Sequence, residues 1–475
     1  MRAWSATFLL LLGIVAAACI VVVGYVVFAE ESLLVALLGN AHAAASEPAE
    51  LVGAAPPVGS SSPGPVITVA PSTLPPRTAQ FNFMPHALRP KTRAQVRARV
   101  IELMLNCTRL PDSLRAIPIW FGFPAVKLHR DRRGRKRELW ALQVPAVNRK
   151  FNVNYYDERA YYDMYANATF AHTWAKNGYD CMRHDEIIAC GGIPVFTGIA
   201  QRPMCTMLGH PNDLYAEIEY TMYSAARRLP DFHVEPVFYR LNSGNLITPI
   251  KPALPSDFAP PLQAWRDELD LYLESTLLNG ALASTMYDYW LAHVVPASVL
   301  PRPPAAPSRV LFIDDYATKY PVYQSLSMLI GLYEAWPNAT VDVMYPPRYV
   351  YTDYTPRLRH LYGRGFTYAK TVPAHKLRTV NASVAHANAY DVYVWGTADQ
   401  RGKHDDCVPT QFAYVPHYKK WLLWGSDEPL SRKAADALHA HGVLWAREQE
   451  TPGEVLVYRS REGAGDPWSS AAAAG

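Results

Sequence analysis

Residues 173–194 read TWAKNGYDCMRHDEIIACGGIP, running from Thr173 to Pro194. Asn177 or Asp180 can cap the start of a helix, because their short side chains accept from the free backbone N–H groups of the first turn. Gly191 and Gly192 can end it, since left-handed backbone just past a helix suits glycine. Ile193-Pro194-Val195-Phe196 then reads as a strand, and Thr169–Trp174 reads as another before the helix. Strand, helix and strand in that order are the unit of a parallel sheet. Arg183, Glu186 and Cys190 lie at i, i+3 and i+7, so they share one helix face. Met182, Ile187, Ile188 and Ala189 make most other positions apolar, which predicts a helix covered on most sides. A covered arginine and glutamate need partners, because burying an unpaired charge is costly. Two readings stand side by side. One is a structural ion pair of Arg183 with Glu186, or of either with a neighbouring loop. The other is a nucleotide-sugar site, in which a planar guanidinium neutralises a diphosphate and a carboxylate accepts from ribose hydroxyls.

Working outward, the same alternation continues on both sides. Strands are expected at Ile117–Phe121, Leu139–Val144 and Val234–Leu241, with helices at Arg93–Leu105 and Leu214–Arg228. A second run opens with the strand at residues 310–313, which ends in Asp314-Asp315. It continues through a helix at Tyr323–Trp336 and strands at Thr340–Met344, Asp391–Trp395, Trp421–Trp424 and Val443–Trp445. The expected fold class is α/β, with two Rossmann-like domains at residues 91–250 and 308–460. The connector at 251–307 holds an amphipathic helix marked by Leu262, Trp265, Leu269 and Leu273, then a proline-rich stretch from Pro296 to Pro307. Two such domains facing each other form a cleft, and ligands of open α/β sheets bind beyond the carboxyl ends of the strands.

The amino-terminal end reads differently. Thr7–Phe28 is 22 residues without a charge, and about 20 apolar residues span a bilayer core. Arg2 lies on one flank, Glu30 and Glu31 on the other, which keeps residues 1–6 cytosolic and sends the rest across. The alternative is a signal cleaved near Ala43, whose apolar core would be unusually long. Residues 29–90 include Pro56 to Pro65, too polar and proline-rich to bury a core, and read as an extended stem. Residues 461–475 read as a disordered tail. The layout is that of a single-pass type II protein of the Golgi membrane with its head in the lumen.

A net charge of +4 is small for 475 residues, and the basic run His129–Arg137 sits between two expected strands as an exposed loop, so no nucleic-acid partner is expected. Sequons at Asn106, Asn167, Asn338 and Asn381 suit a lumenal address. Outside Cys19 in the apolar segment, Cys107, Cys181, Cys190, Cys205 and Cys407 make an odd set. That predicts zero to two disulfides and at least one unpaired thiol. No cysteine or histidine cluster has zinc spacing, and no G-x-S-x-G elbow points to a hydrolase.

The stretch GYDCMRHDEIIACGGIPVF resembles the signature of exostosin-like glycosyltransferases of the GT-B fold, closest to algal and viral members. There, a helix carrying R-x-x-E precedes a small-residue turn and a G-x-I-P-V strand. Tyr161, Tyr162, Tyr165, Phe170, Thr173 and Lys176 fit the same pattern. So do the segments Leu361–Tyr368, Tyr390–Gly396, Gly425–Asp427 and Arg447-Glu448. The resemblance implies a GT-B-like architecture in permuted domain order, because the donor-type motif precedes the second Rossmann-like unit. It also implies a transferase that moves a hexose or pentose from a nucleotide sugar to a glycan or glycoprotein acceptor. Arg183 would bind the donor diphosphate and Glu186 the ribose, with His184 and Lys176 as further phosphate contacts. Asp314, Asp315 and Asp427 are the candidates for the base that takes the acceptor proton. No metal and no cofactor are expected, since GT-B enzymes stabilise the leaving diphosphate with basic groups and helix N-termini. The alternative is a non-catalytic lumenal carbohydrate-binding protein of the same fold.

Overall fold

A computed structural model of the chain describes residues 84–110, 114–128, 136–141, 158–174, 178–199, 202–226, 255–316, 322–356, 366–398, 412–426 and 430–448. The expected membrane anchor, residues 29–83 of the expected stem, the strand at Val234–Leu241, Lys176, Asp427, Cys407 and the carboxyl-terminal tail lie outside them; residues 84–90, expected as the end of the extended stem, instead pack on the head, with Arg89 buried and bonded to Glu217 and Glu268. Among the described residues no helix is long and apolar enough to cross a membrane.

Strands β1 (Ile117–Pro118), β2 (Glu138–Trp140), β3 (Ala168–Trp174), β4 (Ile193–Thr197) and β5 (Arg309–Ile313) are followed by β6 (Thr340–Met344), β7 (Arg378–Thr379), β8 (Val392–Trp395), β9 (Lys420–Trp424) and β10 (Val443–Ala446). They form two parallel sheets. The small one runs β2-β3-β4 and the large one β1-β10-β9-β8-β5-β6-β7. Read from β7 to β10, the large sheet has the order 3-2-1-4-5-6 of a doubly wound α/β sheet, with its switch point between β5 and β8.

The helices are α1 (Arg93–Thr108), α2 (Glu158–Ala166), α3 (Met182–Ala189), α4 (Asn212–Ala226), α5 (Leu262–Tyr272), α6 (Asn279–Tyr289), α7 (Tyr323–Ala335), α8 (Ala382–Ala387) and α9 (Arg432–His439). Side chains alternate across the large sheet, as the pleat requires. Val310, Phe312, Val392, Val394, Trp421 and Trp445 enter one apolar cluster with α6, α7 and the small sheet's Phe170, Ile193 and Val195. Leu311, Ile313, Tyr393, Trp395, Leu422 and Leu444 enter a second with Ala385 of α8 and Leu438 of α9. Both faces are covered, which is why these strands read as unbroken apolar runs.

One strand stands elsewhere than expected. Ile117–Pro118 does not join the small sheet; it pairs with Trp445–Ala446 at the edge of the large one. A short apolar run specifies a buried strand and not its partner. Both sheets also share the first apolar cluster. A disulfide between Cys107 of α1 and Cys205 crosses 98 residues of chain, with Cα atoms 5.8 Å apart; Cys181 and Cys190 are not disulfide-bonded.

Candidate functional site

The R-x-x-E segment forms α3, between β3 and β4 as the sequence predicts. Its N-cap is Cys181, in extended backbone, rather than Asn177 or Asp180. Asp180 is engaged elsewhere: its Oδ2 accepts from the Phe121 amide at 2.8 Å. At the other end Gly191, at φ 71°, lets Gly191 N donate to Ile188 O and Gly192 N to Ile187 O, a paired glycine stop.

The loop entering α3 is held by the carboxyl end of the large sheet. The Asp180 amide donates to Glu448 Oε1 at 3.0 Å, and Arg447 Nη1 donates to the Asp180 carbonyl at 2.7 Å. Arg447 is fully buried, stacks over the Phe121 ring at 4.4 Å, and also donates to the Gly425 carbonyl. These contacts place α3 beyond β1, β9 and β10, on the side where α/β sheets bind ligands.

Arg183 is 5% exposed, with its guanidinium 4.6 Å from the centre of the Trp174 ring. Its buried Nη1 has no hydrogen-bond partner, and among the described residues it forms no ion pair with Glu186. Glu186, 4% exposed, is held from both sides. Oε1 accepts from Thr367 Oγ1 at 2.5 Å and Oε2 from Tyr161 OH at 2.6 Å. Burial pushes its carboxyl above the ordinary glutamate range, and these two donors pull it back. Burial also raises Tyr161 and Tyr162, so both phenols stay protonated and act as donors.

His184 has no atom left for a phosphate. Its Nδ1 meets Thr173 Oγ1 and its Nε2 the Tyr179 carbonyl, both at 2.8 Å, in a fully buried pocket. The ring therefore ties α3 to β3, and burial disfavours its charged form.

Asp185 is not among the site residues that the sequence pattern marks. It is fully buried and neither carboxyl oxygen has a hydrogen-bond partner. Burial, then the neighbouring Asp180, push its carboxyl well above the aspartate range. His210 Nε2 lies 3.4 Å from Asp180 Oδ1 and 3.9 Å from Asp185 Oδ1, while its Nδ1 meets Tyr215 OH at 3.2 Å. The sequence signal for this cluster is a third charged residue, between His184 and Glu186, on a covered helix. Among the described residues no group of three or more His, Cys, Asp or Glu is placed to hold a metal ion.

At the switch point of the large sheet, Asp314 ends β5 and is 2% exposed. Its Oδ1 accepts from Thr397 Oγ1 at 2.7 Å and its Oδ2 from the Ser325 hydroxyl, so it bridges the loop after β8 and the first turn of α7. A Cβ on Gly396 would stand 2.5 Å from Asp314 Oδ2, so only glycine permits this closure. Asp315 beside it is exposed. Of the three aspartates expected near the acceptor, Asp314 is therefore a clamp, Asp315 faces solvent, and Asp427 lies outside the described residues.

The fold and this arrangement define an α/β protein with a doubly wound parallel sheet. No protein-family model, curated protein or solved structure matches the chain.

Proposed function

We propose that this chain is a membrane-anchored glycosyltransferase, moving a sugar from a nucleotide-sugar donor to a glycan or glycoprotein acceptor in the Golgi lumen. The observation that carries the reading is Arg183: a buried cation on an aromatic face, with one nitrogen unpartnered. A buried donor left unpaired costs free energy, and a diphosphate supplies the missing acceptors in the geometry a guanidinium fits. Its place beyond the strand ends of the large sheet supports the same reading. Asn106, Asn167, Asn338 and Asn381 are all exposed, as acceptors of N-linked glycans must be, and the Cys107–Cys205 disulfide suits an oxidising compartment. Asp315, exposed after β5, is the best placed of the described acid candidates for the acceptor proton.

The test is thermal stabilisation of the full-length chain by a panel of UDP- and GDP-sugars. Stabilisation by one of them, abolished in Arg183→Ala, is expected. Stabilisation by free glycans alone, unchanged in Arg183→Ala, would replace this reading with the non-catalytic carbohydrate-binding one.

A further inference from the structure

We propose that Thr367 is a positioning residue for the donor ribose, acting by fixing the carboxylate plane of Glu186; the proposal rests on the function proposed above. Thr367 reaches α3 from far along the chain, in the short turn Phe366–Tyr368, and is 1% exposed. The next residue anchors that turn: Tyr368 OH donates to the Gly122 carbonyl at 2.9 Å and lies 2.8 Å from Met182 Sδ, one turn before Glu186.

The direction of the hydrogen bonds is set by chemistry. An ionised carboxylate only accepts, so the Thr367 proton must point at Glu186 Oε1. The hydroxyl's lone pairs then face Tyr162 OH, a donor at 3.0 Å. Tyr162, Thr367 and Glu186 thus form one polarised chain, in which each bond strengthens the next. Tyr161 holds the second oxygen. A carboxylate offers about four lone-pair sites, so with one donor on each oxygen Glu186 keeps acceptor capacity for two ribose hydroxyls. Rotation about its terminal bond, otherwise broad, is fixed. The titratable groups facing Glu186 are Arg183 and Asp185 on its own helix and Glu158, Tyr161, Tyr162 and Tyr165 on α2.

The test compares Thr367→Val and Thr367→Ser in the full-length chain, titrated calorimetrically with UDP, GDP and inorganic diphosphate. Thr367→Val is expected to weaken the preferred nucleoside diphosphate about tenfold, the size of one hydrogen bond to a charged group. Inorganic diphosphate, which engages Arg183 alone, should bind as before. The acidic limb of nucleotide binding should also move to higher pH, because the Thr367 donor favours the ionised form of Glu186. Thr367→Ser should restore both. Equal weakening of nucleotide and diphosphate without rescue by serine would make Thr367 a packing residue and overturn the proposal. So would unchanged nucleotide binding in Thr367→Val while Arg183→Ala still abolishes it, an outcome that leaves the transferase reading standing. If the wild-type chain binds neither UDP nor GDP, both readings fall together.

Discussion

Two buried aspartates of the large sheet and one of α3 are held in opposite ways. Asp314 has both oxygens bonded by hydroxyls, and Asp342 in β6 receives Arg378, Arg309 and Tyr390. In α3, Asp185 has no hydrogen-bond partner on either oxygen, with His210 Nε2 at 3.9 Å from Oδ1, and Arg183 has a nitrogen without one. A scaffold satisfies its polar groups, because each unsatisfied one costs stability. The contrast sets the bonded aspartates of the large sheet apart from the charged pair Arg183 and Asp185, whose buried atoms lack hydrogen-bond partners. It also demotes Asp314 from candidate base to clamp, although it sits at the switch point.

The largest expected effect tests whether the two regions form one seam. Arg447→Met removes the cation that joins Asp180, Gly425 and Glu448 and leaves the buried Glu448 carboxylate without its charge partner. Breaking a buried pair this way should cost about 3–5 kcal/mol in urea unfolding; a loss below about 1 kcal/mol would mean the regions are held by apolar contacts alone.

Asp342→Asn should cost less, about 1–2 kcal/mol, because Arg309 and Arg378 are partly exposed and screened. Its sign with pH is fixed. The bonds from Arg378 and Tyr390 outweigh burial and hold the Asp342 carboxyl below its ordinary value. The contribution is therefore present above the unfolded aspartate value and lost as pH falls through the folded one. Unfolding curves of variant and wild type should converge in acid.

The smallest effect has the opposite sign. Asp185 is raised by burial, and burial raises Glu219 to about 7 despite the amides of Gly198 and Ile199. A raised acid favours the fold below its unfolded value and withdraws that support as pH rises through the folded one. Wild-type melting temperature should thus fall between about pH 5 and pH 8. Asp185→Asn should flatten that fall and melt at or above wild type at the alkaline end. A variant that melts lower at every pH would show that Asp185 has a partner, and the contrast between the regions would fail.

Local pattern made much of the fold legible. Strand Thr340–Met344 and helix Leu262–Tyr272 stand where period and composition put them. Helix α6 carries a weak period: Asn279, Leu282, Ala283, Thr285, Met286 and Tyr287 are all buried, so polar and apolar residues mix on its covered side. Strand β7 leaves no mark in the sequence, because Arg378–Thr379 is a two-residue exposed edge with no apolar run. Within the site, Arg183 and Glu186 were legible from helix spacing. His184 looked equally available, and only its two ring contacts show that it is structural.

The sequence alone determined the alternation of strands and helices, the covered helix at Met182–Ala189 and its glycine stop, since these follow from periodicity and backbone preference within a few residues. Tertiary structure decided which sheet received Ile117, which residue held Glu186, and which buried acids found partners. Those outcomes depend on pairs such as Glu186 and Thr367, 181 positions apart, and no local preference encodes a partner at that distance.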